Sequence, residues 1–391
     1  MPTRSTEVPM LEQAFAIAPS KDGDEPWAWL MLFRALKIAL GGAMVLGTLG
    51  GIATAAGWNV AGRLFLDADQ PPALQAYTLR LESWPGDRRR PLPVPSLLGS
   101  LRQAPADPVT TVPFLFVGPM LAVLNPELSW NAWGYFAFGF VWLILVWALF
   151  GGAITRRAAL RFTWEKKIDP IPALVFAHGR IGSHVGAMLA PVLAIVTIAA
   201  PAILLALLMR TSWGAAVGGV LWFGVIGIAL FASVLALGLG LGWPLIWGTL
   251  AVEDSDAFDA MSRAYAYVFQ GAARYACYTL VAALVGIVGW LLVWAGTELI
   301  LALTHWMALL GMGQERLTAL TAGDPSQLSS LDRFAANSIF FWTAMVRSLA
   351  SGFGYAYFWT AFAAIYLLLR HDVESTPLDE ISGIELEAAP E

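Results

Sequence analysis

Six long apolar stretches, almost free of charge, constrain this chain more than any other feature of its sequence. An upright helix needs about 20 residues, at 1.5 Å of rise each, to cross a hydrocarbon core of roughly 30 Å. Lipid offers backbone groups no hydrogen bonds, so a helix is the expected conformation of each stretch. The sequence therefore predicts an all-α, polytopic transmembrane helical bundle of about six spans. The predicted spans lie near residues 38–58, 132–153, 186–208, 217–241, 277–298 and 348–369.

The composition excludes a soluble globular fold. Hydrophobic residues fill 58% of the 391 positions and charged residues only 13%, whereas soluble domains carry roughly 25% charged residues. A soluble fold of this size has too little interior to bury so much apolar surface. The net charge of −5 comes without a basic stripe, so we expect no nucleic-acid partner. With four histidines and one cysteine, we also expect no metal centre and no cofactor.

Two apolar stretches do not fit one upright span each. Residues 213–252 contain no charge at all. The glycines and the proline of 238–244 predict a break, because glycine and proline are the poorest helix formers. We therefore expect one span near 217–241 and an interfacial continuation to Val252. Arg347 is expected at the outer end of the last span, where its long side chain can reach water.

The distribution of lysine and arginine predicts the orientation. The segments before the first span, between the second and third, between the fourth and fifth, and after the last hold 13 of the 23 basic residues. The short loops on the other side hold four. Cytoplasmic loops carry such an excess in membrane proteins. We therefore expect a multi-pass protein of the inner (cytoplasmic) membrane with both termini in the cytoplasm.

The segments outside the spans are expected to be mostly irregular. Residues 1–26 and the acidic tail 371–391 are predicted to be disordered on the cytoplasmic side. The extracytoplasmic connection 62–131 holds 11 of the 23 prolines, and its residues 77–82 alternate like a strand. Within it, the apolar stretch 112–124 is too short to cross, so we expect it to lie in the outer interface or to re-enter.

Three amphipathic segments are expected to form helices at the cytoplasmic interface. In the third of them, Ser255 is a favourable N-cap. Asp259 and Arg263 lie four residues apart on that helix and can form an ion pair. The three segments are 27–36, 172–185 and 255–270.

Three motifs carry a resemblance to a known family. They are Gly-Gly-Ala-Ile-Thr-Arg-Arg-Ala-Ala at 151–159, Ser-Asp-Ala-Phe-Asp-Ala-Met-Ser-Arg-Ala-Tyr-Ala-Tyr at 255–267 and Ala-Ile-Tyr-Leu-Leu-Leu-Arg-His-Asp-Val at 364–373. Together they resemble an uncharacterised family of multi-pass inner-membrane proteins of planctomycete-type bacteria. The layout is also loosely similar to the YciC-type six-span membrane proteins. The resemblance implies the same fold and supplies no activity, ligand or site residue.

Ionisable residues at membrane depth are the strongest functional candidates, because charge there is costly and is usually paired or functional. Glu298 lies near the outer end of the fifth span and Arg347 begins the sixth, so the two can form an intramembrane polar pair if these helices are neighbours. One interpretation is a proton or ion step on a transport path. The other is a structural ion pair.

A basic cluster follows the second span, and its role in setting the topology explains it without a ligand. The sharper hypothesis is that it binds anionic lipid headgroups, at about 1 kcal/mol per charge. The members of this cluster are Arg156, Arg157, Arg161, Lys166 and Lys167.

Several other motifs have a functional and a structural interpretation. The Asp-x-Asp motif at 254–256 can hold a divalent cation beside a phosphate, but it also matches the start of a helix. His178 and His184 lack the i, i+4 spacing of a zinc-binding pair. Pro191 and Pro201 lie within the third span, and broken helices often line transporter sites; the structural alternative is two tolerated kinks. For the glycines of 238–242, close helix packing or a kink is the structural interpretation.

No motif fixes a reaction or a substrate, so three functional hypotheses stay open. The first is a non-catalytic integral membrane protein that organises or binds lipid or partner proteins in the bilayer. The second is a transporter or channel for a small solute or ion, with a polar mid-membrane cavity near Pro191, Pro201 and 238–242. The third is a membrane-embedded lipid-modifying enzyme, which requires acids or histidines that converge on one pocket.

Overall fold

The computed structural model describes residues 28–66, 107–123, 128–165, 167–253, 255–321, 328–374 and 376–377. Within these ranges 91% of the residues are helical and none is in a strand, so the predicted all-α class is confirmed. The expectations for residues 1–26, for the strand-like stretch 77–82 and for the tail beyond Pro377 lie outside the described residues.

The described ranges contain ten α-helices. Six of them are long and apolar enough to cross a membrane, and each overlaps one predicted span, which indicates a multi-pass membrane protein. These six are α2, α4, α6, α7, α9 and α10 in the numbering that follows. In chain order the helices are α1 (Met31–Ala39), α2 (Gly42–Phe65), α3 (Thr111–Val123), α4 (Trp130–Thr163), α5 (Pro170–Gly179), α6 (Ile181–Leu208), α7 (Ser212–Val252), α8 (Ala257–Gln270), α9 (Ala272–Thr321) and α10 (Ser330–Glu374).

The first two long helices run in opposite directions. Gly42, at the start of α2, lies against Arg157 near the end of α4, whereas Gly57 further along α2 lies against Trp142. A side-chain hydrogen bond joins the same pair of helices, from Trp142 Nε1 to the carbonyl oxygen of Ala53 at 2.8 Å. The chain therefore starts α2 on the side where α4 ends.

The ends of α4, α7 and α10 meet at one end of the bundle. Arg156 Nη1 of α4 donates to the carbonyl oxygen of Ala251 in α7 at 2.6 Å. Arg370 of α10 lies 3.3 Å from Glu253, which follows α7. A short segment that includes α5 joins α4 to α6, and one that includes α8 joins α7 to α9. The starts of α6 and α9 therefore lie at this end too.

The last helix forms the centre of the bundle. Every residue of its most apolar 18-residue window is buried, and it packs against α2, α4, α7 and α9. At one crossing, a Cβ added to Gly47 of α2 would lie 2.3 Å from the carbonyl oxygen of Gly352, so the two backbones touch. Four buried tryptophans from three helices fill the space beside it. They are Trp147, Trp243, Trp247 and Trp359.

The short apolar helix α3 inserts one ring into this aromatic core. Its 13 residues are fewer than the roughly 20 that a crossing needs. Phe116 is buried and stacks on Trp243 with ring centroids 4.0 Å apart. It also meets the rings of Trp247 and Trp359 edge-on. α3 therefore packs among the long helices, and its placement in the outer interface or as a re-entrant segment stays a prediction.

The break predicted in the fourth span is absent. α7 is a continuous helix of 41 residues that includes Pro244, because a membrane helix can tolerate proline where neighbouring groups satisfy its backbone. Gly238 does not break the helix but allows α8 to pack closely on α7, since a Cβ there would lie 2.3 Å from Tyr265 Cε1. Residues 243–252 are all buried. The predicted break was therefore wrong, and this segment continues α7 inside the bundle.

Two short helices, α1 and α5, are separated from the long helices that follow them by turns that the sequence did not predict. α1 starts at Met31 within the predicted segment 27–36, and Gly41, with a φ of 70°, separates it from α2. The segment 172–185, predicted as one helix, is divided at Arg180 into α5 and the start of α6.

The helix α8 has a different N-cap from the predicted one. The carboxylate of Asp256, and not the hydroxyl of Ser255, accepts hydrogen bonds from two backbone N–H groups of the first turn, both at 2.9 Å. Asp256 is the residue directly before the first helical position, where a cap must lie. The expected pair of Asp259 and Arg263 is present at 3.1 Å.

α10 is longer at both ends than the predicted span 348–369. It begins at Ser330, so Arg347 lies inside a helix and not at its outer end. It ends at Glu374, so the first residues of the segment 371–391, predicted to be disordered, are helical. The composition of the residues beside the span does not predict these additional helical turns, because contacts with α9 and α8 stabilise them.

Candidate functional site

Glu298 of α9 and Arg347 of α10 form an ion pair inside the bundle. Arg347 Nε lies 3.1 Å from Glu298 Oε1, and Nη2 lies 3.4 Å from Oε2. The Glu298 side chain is 1% exposed and that of Arg347 is 13% exposed. Two parallel charge-assisted hydrogen bonds are the geometry that best offsets the loss of hydration. The structure thus brings together the two residues that the sequence singled out.

This pair fastens α9 to α10 at the base of a helical hairpin. Gly313, with a φ of 78°, kinks α9 between Glu298 and the hairpin tip. Beyond this kink a second ion pair, Arg316 with Asp332, joins α9 to α10 near the tip, where it is exposed. Breaking a buried pair by removing one partner costs about 3–5 kcal/mol, whereas exposed pairs contribute little. The Glu298–Arg347 pair is therefore the stronger of the two links.

The structure divides the basic cluster that follows the second span. Arg156 is 5% exposed, and besides its bond to the Ala251 carbonyl its guanidinium lies 4.4 Å from the Phe176 ring centroid. It lies inside the bundle, so the hypothesis that it contacts lipid headgroups was wrong. The reason is that α4 continues ten residues beyond the predicted span 132–153, and α5 and α7 cover its last turns.

The other members of the cluster differ in exposure. Arg157 is half-buried, and its Nε donates to the carbonyl oxygen of Ile168 at 2.8 Å. Arg161 is half-buried and Lys167 is exposed. Lys166 lies outside the described residues. Within the described part of the cluster, Lys167 and Arg161 remain available to a headgroup.

A polar junction, which the sequence analysis missed, lies where α7 and α10 end beside α8. Glu253 pairs with Arg263 at 2.7 Å and with Arg370 at 3.3 Å. The hydroxyl of Tyr366 donates to the same carboxylate at 2.7 Å. Arg263 also lies 3.2 Å from Glu374. These five residues, called the polar junction below, tie the end of the last helix to α8.

The surroundings of the junction fix the protonation of its members. Burial lowers the pKa of Arg263, but the neighbouring carboxylates outweigh this and raise it, so the guanidinium stays charged. Tyr267 donates to Glu374 at 2.7 Å. Burial and then that carboxylate raise the pKa of Tyr267, so it stays a neutral donor. The available sequence signal was the i, i+4, i+8 spacing of Tyr366, Arg370 and Glu374 on one face of α10.

The outer parts of α6 and α7 form a hairpin that contacts little else. No residue in the most apolar 18-residue window of α7 is buried, and only 6% of the corresponding window of α6 is buried. Trp213, Val220 and Phe223 are 86%, 83% and 85% exposed. We call residues 193–237 the apolar hairpin. The windows of its two helices are the least buried of the six apolar windows in the described residues.

The residues expected near a transport cavity have different surroundings from one another. α6 stays helical through both of its prolines. Pro191 is buried, whereas Pro201 is exposed. Gly238 is packed against Tyr265, and a Cβ on Gly240 would meet nothing within 4 Å. Gly238 and Gly242 thus serve the packing of α8 on α7, whereas Gly240 does not.

The residues considered for metal or lipid chemistry are also separated. Asp254 lies outside the described residues, and Asp256 caps α8. His178 is exposed on α5. His184 is buried, with Nδ1 2.9 Å from the carbonyl oxygen of Arg180. Among the described residues, no three His, Cys, Asp or Glu side chains lie where they could hold a metal ion.

Comparison with known proteins does not place the chain in a family. No protein-family model, no curated protein and no solved structure matches it. The resemblance of three motifs to multi-pass inner-membrane proteins therefore stays a prediction, and the function has to be argued from the geometry of the molecule.

Proposed function

We propose that this chain is a non-catalytic integral membrane protein that binds lipid or partner proteins in the plane of the bilayer. The observation that carries the proposal is the apolar hairpin, whose most apolar residues remain uncovered. The last helix of the same chain buries its apolar window completely. A chain that packs its spans so unevenly presents the two least buried of them to another component of the membrane.

Glycines on the exposed side of α7 support a ligand that approaches the backbone. A Cβ on Gly219, Gly224 or Gly227 would meet nothing within 4 Å, so packing within the chain does not require glycine there. Glycine in a helix interior costs about 1 kcal/mol relative to alanine. In membranes, small residues let a second helix approach closely. These positions therefore suit a helix or lipid that packs on α7.

The bonding of the charged residues supports a non-catalytic role. A catalytic acid or base must be within hydrogen-bond reach of a substrate. Glu298 is instead bonded to an arginine, Glu253 to two arginines, and Arg156 to a backbone carbonyl. Each of these groups already has a partner that stabilises the bundle.

We infer that the protein lies in the inner (cytoplasmic) membrane with both termini in the cytoplasm. The excess of lysine and arginine beside the ends of α4, α7 and α10 supports this orientation. Single cysteines in a Cys277-free background test it. Positions near 90 and 320 should react with an impermeant reagent from outside, and positions near 165 and 380 only after permeabilisation. The reverse pattern would contradict the orientation.

The binding proposal is tested by photo-crosslinking in native membranes. A photoreactive residue at Phe223 of the apolar hairpin should give one discrete protein adduct, or one lipid class enriched above its share of the membrane. The matched control is Leu292 on α9, which is also exposed and should give bulk lipid only. Bulk lipid at both positions would contradict the proposal.

Transport of a small solute or ion is the second candidate function. The buried Glu298–Arg347 pair favours it, because charges within the membrane often mark ion or proton paths. Flux into liposomes that is lost in Glu298→Gln but kept in Arg316→Gln would support transport. An absence of flux with the natural protein, for protons and common ions alike, would count against it.

A further inference from the structure

Three short helices lie at the end of the bundle where α4, α7 and α10 end. α1 precedes α2, α5 precedes α6 and α8 precedes α9, so each leads into a long helix that starts on this side. Each buries one face of small or apolar side chains against the bundle. The buried residues include Leu32 and Ala35 of α1, Ala173 and Ala177 of α5, and Ala260 and Ala264 of α8.

The outward face of α1 combines apolar and basic residues. Phe33 and Lys37 follow the i, i+4 spacing of one helix face, Leu40 directly follows the last helical residue, and all three are exposed. The large apolar members of this face gain nothing from contact with water. The face therefore has the composition of a helix that lies in a membrane interface.

The other two short helices repeat this arrangement. On α5, Ile171 and Val175 are 73% and 69% exposed, and Lys167 lies four residues before Ile171. On α8, Phe269 is exposed near the end, and the exposed Arg274 follows it in the first turn of α9. The same pairing of an exposed apolar group with a cation thus occurs three times around one end of the bundle.

We call the exposed apolar and basic residues of these three short helices and their flanks the rim. The cations of the rim are not used in ion pairs within the described part of the chain. Lys37, Arg161 and Lys167 have no carboxylate partner there. Arg274 donates only to a backbone carbonyl, that of Asp372, at 2.7 Å. Their charges are therefore available to an anion outside the protein.

We propose that this rim is a binding surface for the anionic phospholipid headgroups of the adjoining leaflet. The apolar faces enter the boundary between headgroups and acyl chains, and the cations meet the phosphates. The surface replaces the basic cluster as the lipid site, because Arg156 is inside the bundle while residues distant in sequence join the rim. Its cations are Lys37, Arg161, Lys167 and Arg274.

The short connections favour a membrane surface over a cytosolic protein as the occupant. Leu40 and Gly41 alone separate α1 from α2, Arg180 alone separates α5 from α6, and Gly271 alone separates α8 from α9. With linkers of one or two residues, each short helix must stay beside the end of its span. The proposal rests on the membrane location and not on the apolar hairpin, so each can fail without the other.

The charge part of the proposal is tested by lipid retention in native mass spectrometry. The Lys37→Gln/Lys167→Gln variant should lose preference for phosphatidylglycerol over phosphatidylcholine, by on the order of 5-fold per charge removed. The matched control, Arg63→Gln/Arg210→Gln, removes two charges from the other end of the bundle and should keep the preference. Equal losses in both variants, or none in either, would overturn the proposal.

The insertion part is tested by fluorescence in nanodiscs on a Cys277→Ser background. A dye on Val175→Cys should be quenched by brominated lipid, while a dye on Gln314→Cys, near the polar tip of the other hairpin, should not. A dye at 175 that is reached by an aqueous quencher and not by brominated lipid would overturn the proposal. That result would indicate a soluble partner for this face.

Discussion

Removing one partner of the Glu298–Arg347 pair should destabilise the bundle far more than removing an exposed pair between the same helices. Both side chains are largely shielded from water, so Arg347→Met leaves a carboxylate that neither water nor a cation solvates. Breaking a buried pair in this way costs about 3–5 kcal/mol. Insertion scales give a similar cost of about 2.5–3.5 kcal/mol for a charge at the centre of a membrane helix. We therefore expect Arg347→Met to lower the free energy of unfolding by about 3 kcal/mol or more.

The double variant Glu298→Gln/Arg347→Met separates pairing from burial. It removes both charges, so the cost of an unpaired charge disappears and most of the lost stability should return. The coupling energy of the double-mutant cycle should then be well above the about 0.3–0.5 kcal/mol found for independent sites. Unfolding in mixed micelles at rising SDS content, followed by circular dichroism, measures all four proteins.

The matched control for this cycle is Arg316→Gln, which breaks the exposed pair near the tip of the same hairpin. It should change stability little. If Arg347→Met and Arg316→Gln have equal small effects, or if the two changes of the cycle are additive, the Glu298–Arg347 pair is hydrated and does not stabilise the bundle as a buried pair.

Three further outcomes test the packing. Gly352→Ala should cost about 1–3 kcal/mol of stability, because its Cβ would lie 2.7 Å from a carbonyl oxygen of α2. Gly240→Ala, with open space around it, should stabilise the protein by up to about 1 kcal/mol. Thermal unfolding measures both variants. Phe116→Ala should cost about 3–5 kcal/mol and weaken the near-ultraviolet circular dichroism, while the exposed Phe114→Ala should do neither. Burial raises the pKa of Tyr265 from 10.0 to about 12, so the unfolded chain loses this proton first and stability should fall as pH rises from 10 to 12. Tyr265→Phe should remove that part of the pH dependence, and no change in the slope would contradict the burial of the phenol.

The number and approximate position of the long helices could be predicted because chain length, apolarity and backbone hydrogen bonding act locally. Their extent could not. Residues 243–252 and the first turns of α10 are apolar or mixed, and composition does not show whether such residues face lipid or protein. Composition alone therefore cannot show that residues 243–252 are buried, and their contacts with Trp147 of α4 and Tyr366 of α10 are what bury them.

The candidate site was predictable to the extent that single residues are unusual for their position. Glu298 and Arg347 stood out because charges near the ends of apolar stretches are rare. Arg156 was misplaced because charge counts describe a whole segment and not the face of a helix on which each residue lies. The polar junction was missed because Glu253, Arg263 and Arg370 are far apart in the sequence and only the fold brings them together.

The way the core is packed explains why the apolar window of α10, with a mean hydropathy of 1.4, is buried while the more apolar window of α7, at 2.5, is exposed. Lipid tails solvate leucine and valine as well as a protein interior does, so association within the membrane depends on close packing and hydrogen bonds. The buried last helix accordingly makes a glycine crossing at Gly352 and a hydrogen bond from Tyr357 to the Ala282 carbonyl at 2.7 Å. The uncovered side of α7 keeps its aliphatic residues in contact with lipid but also has glycines at 219, 224 and 227. By the same physics, those glycines, and not the aliphatic residues around them, are where a partner helix would gain the most by docking.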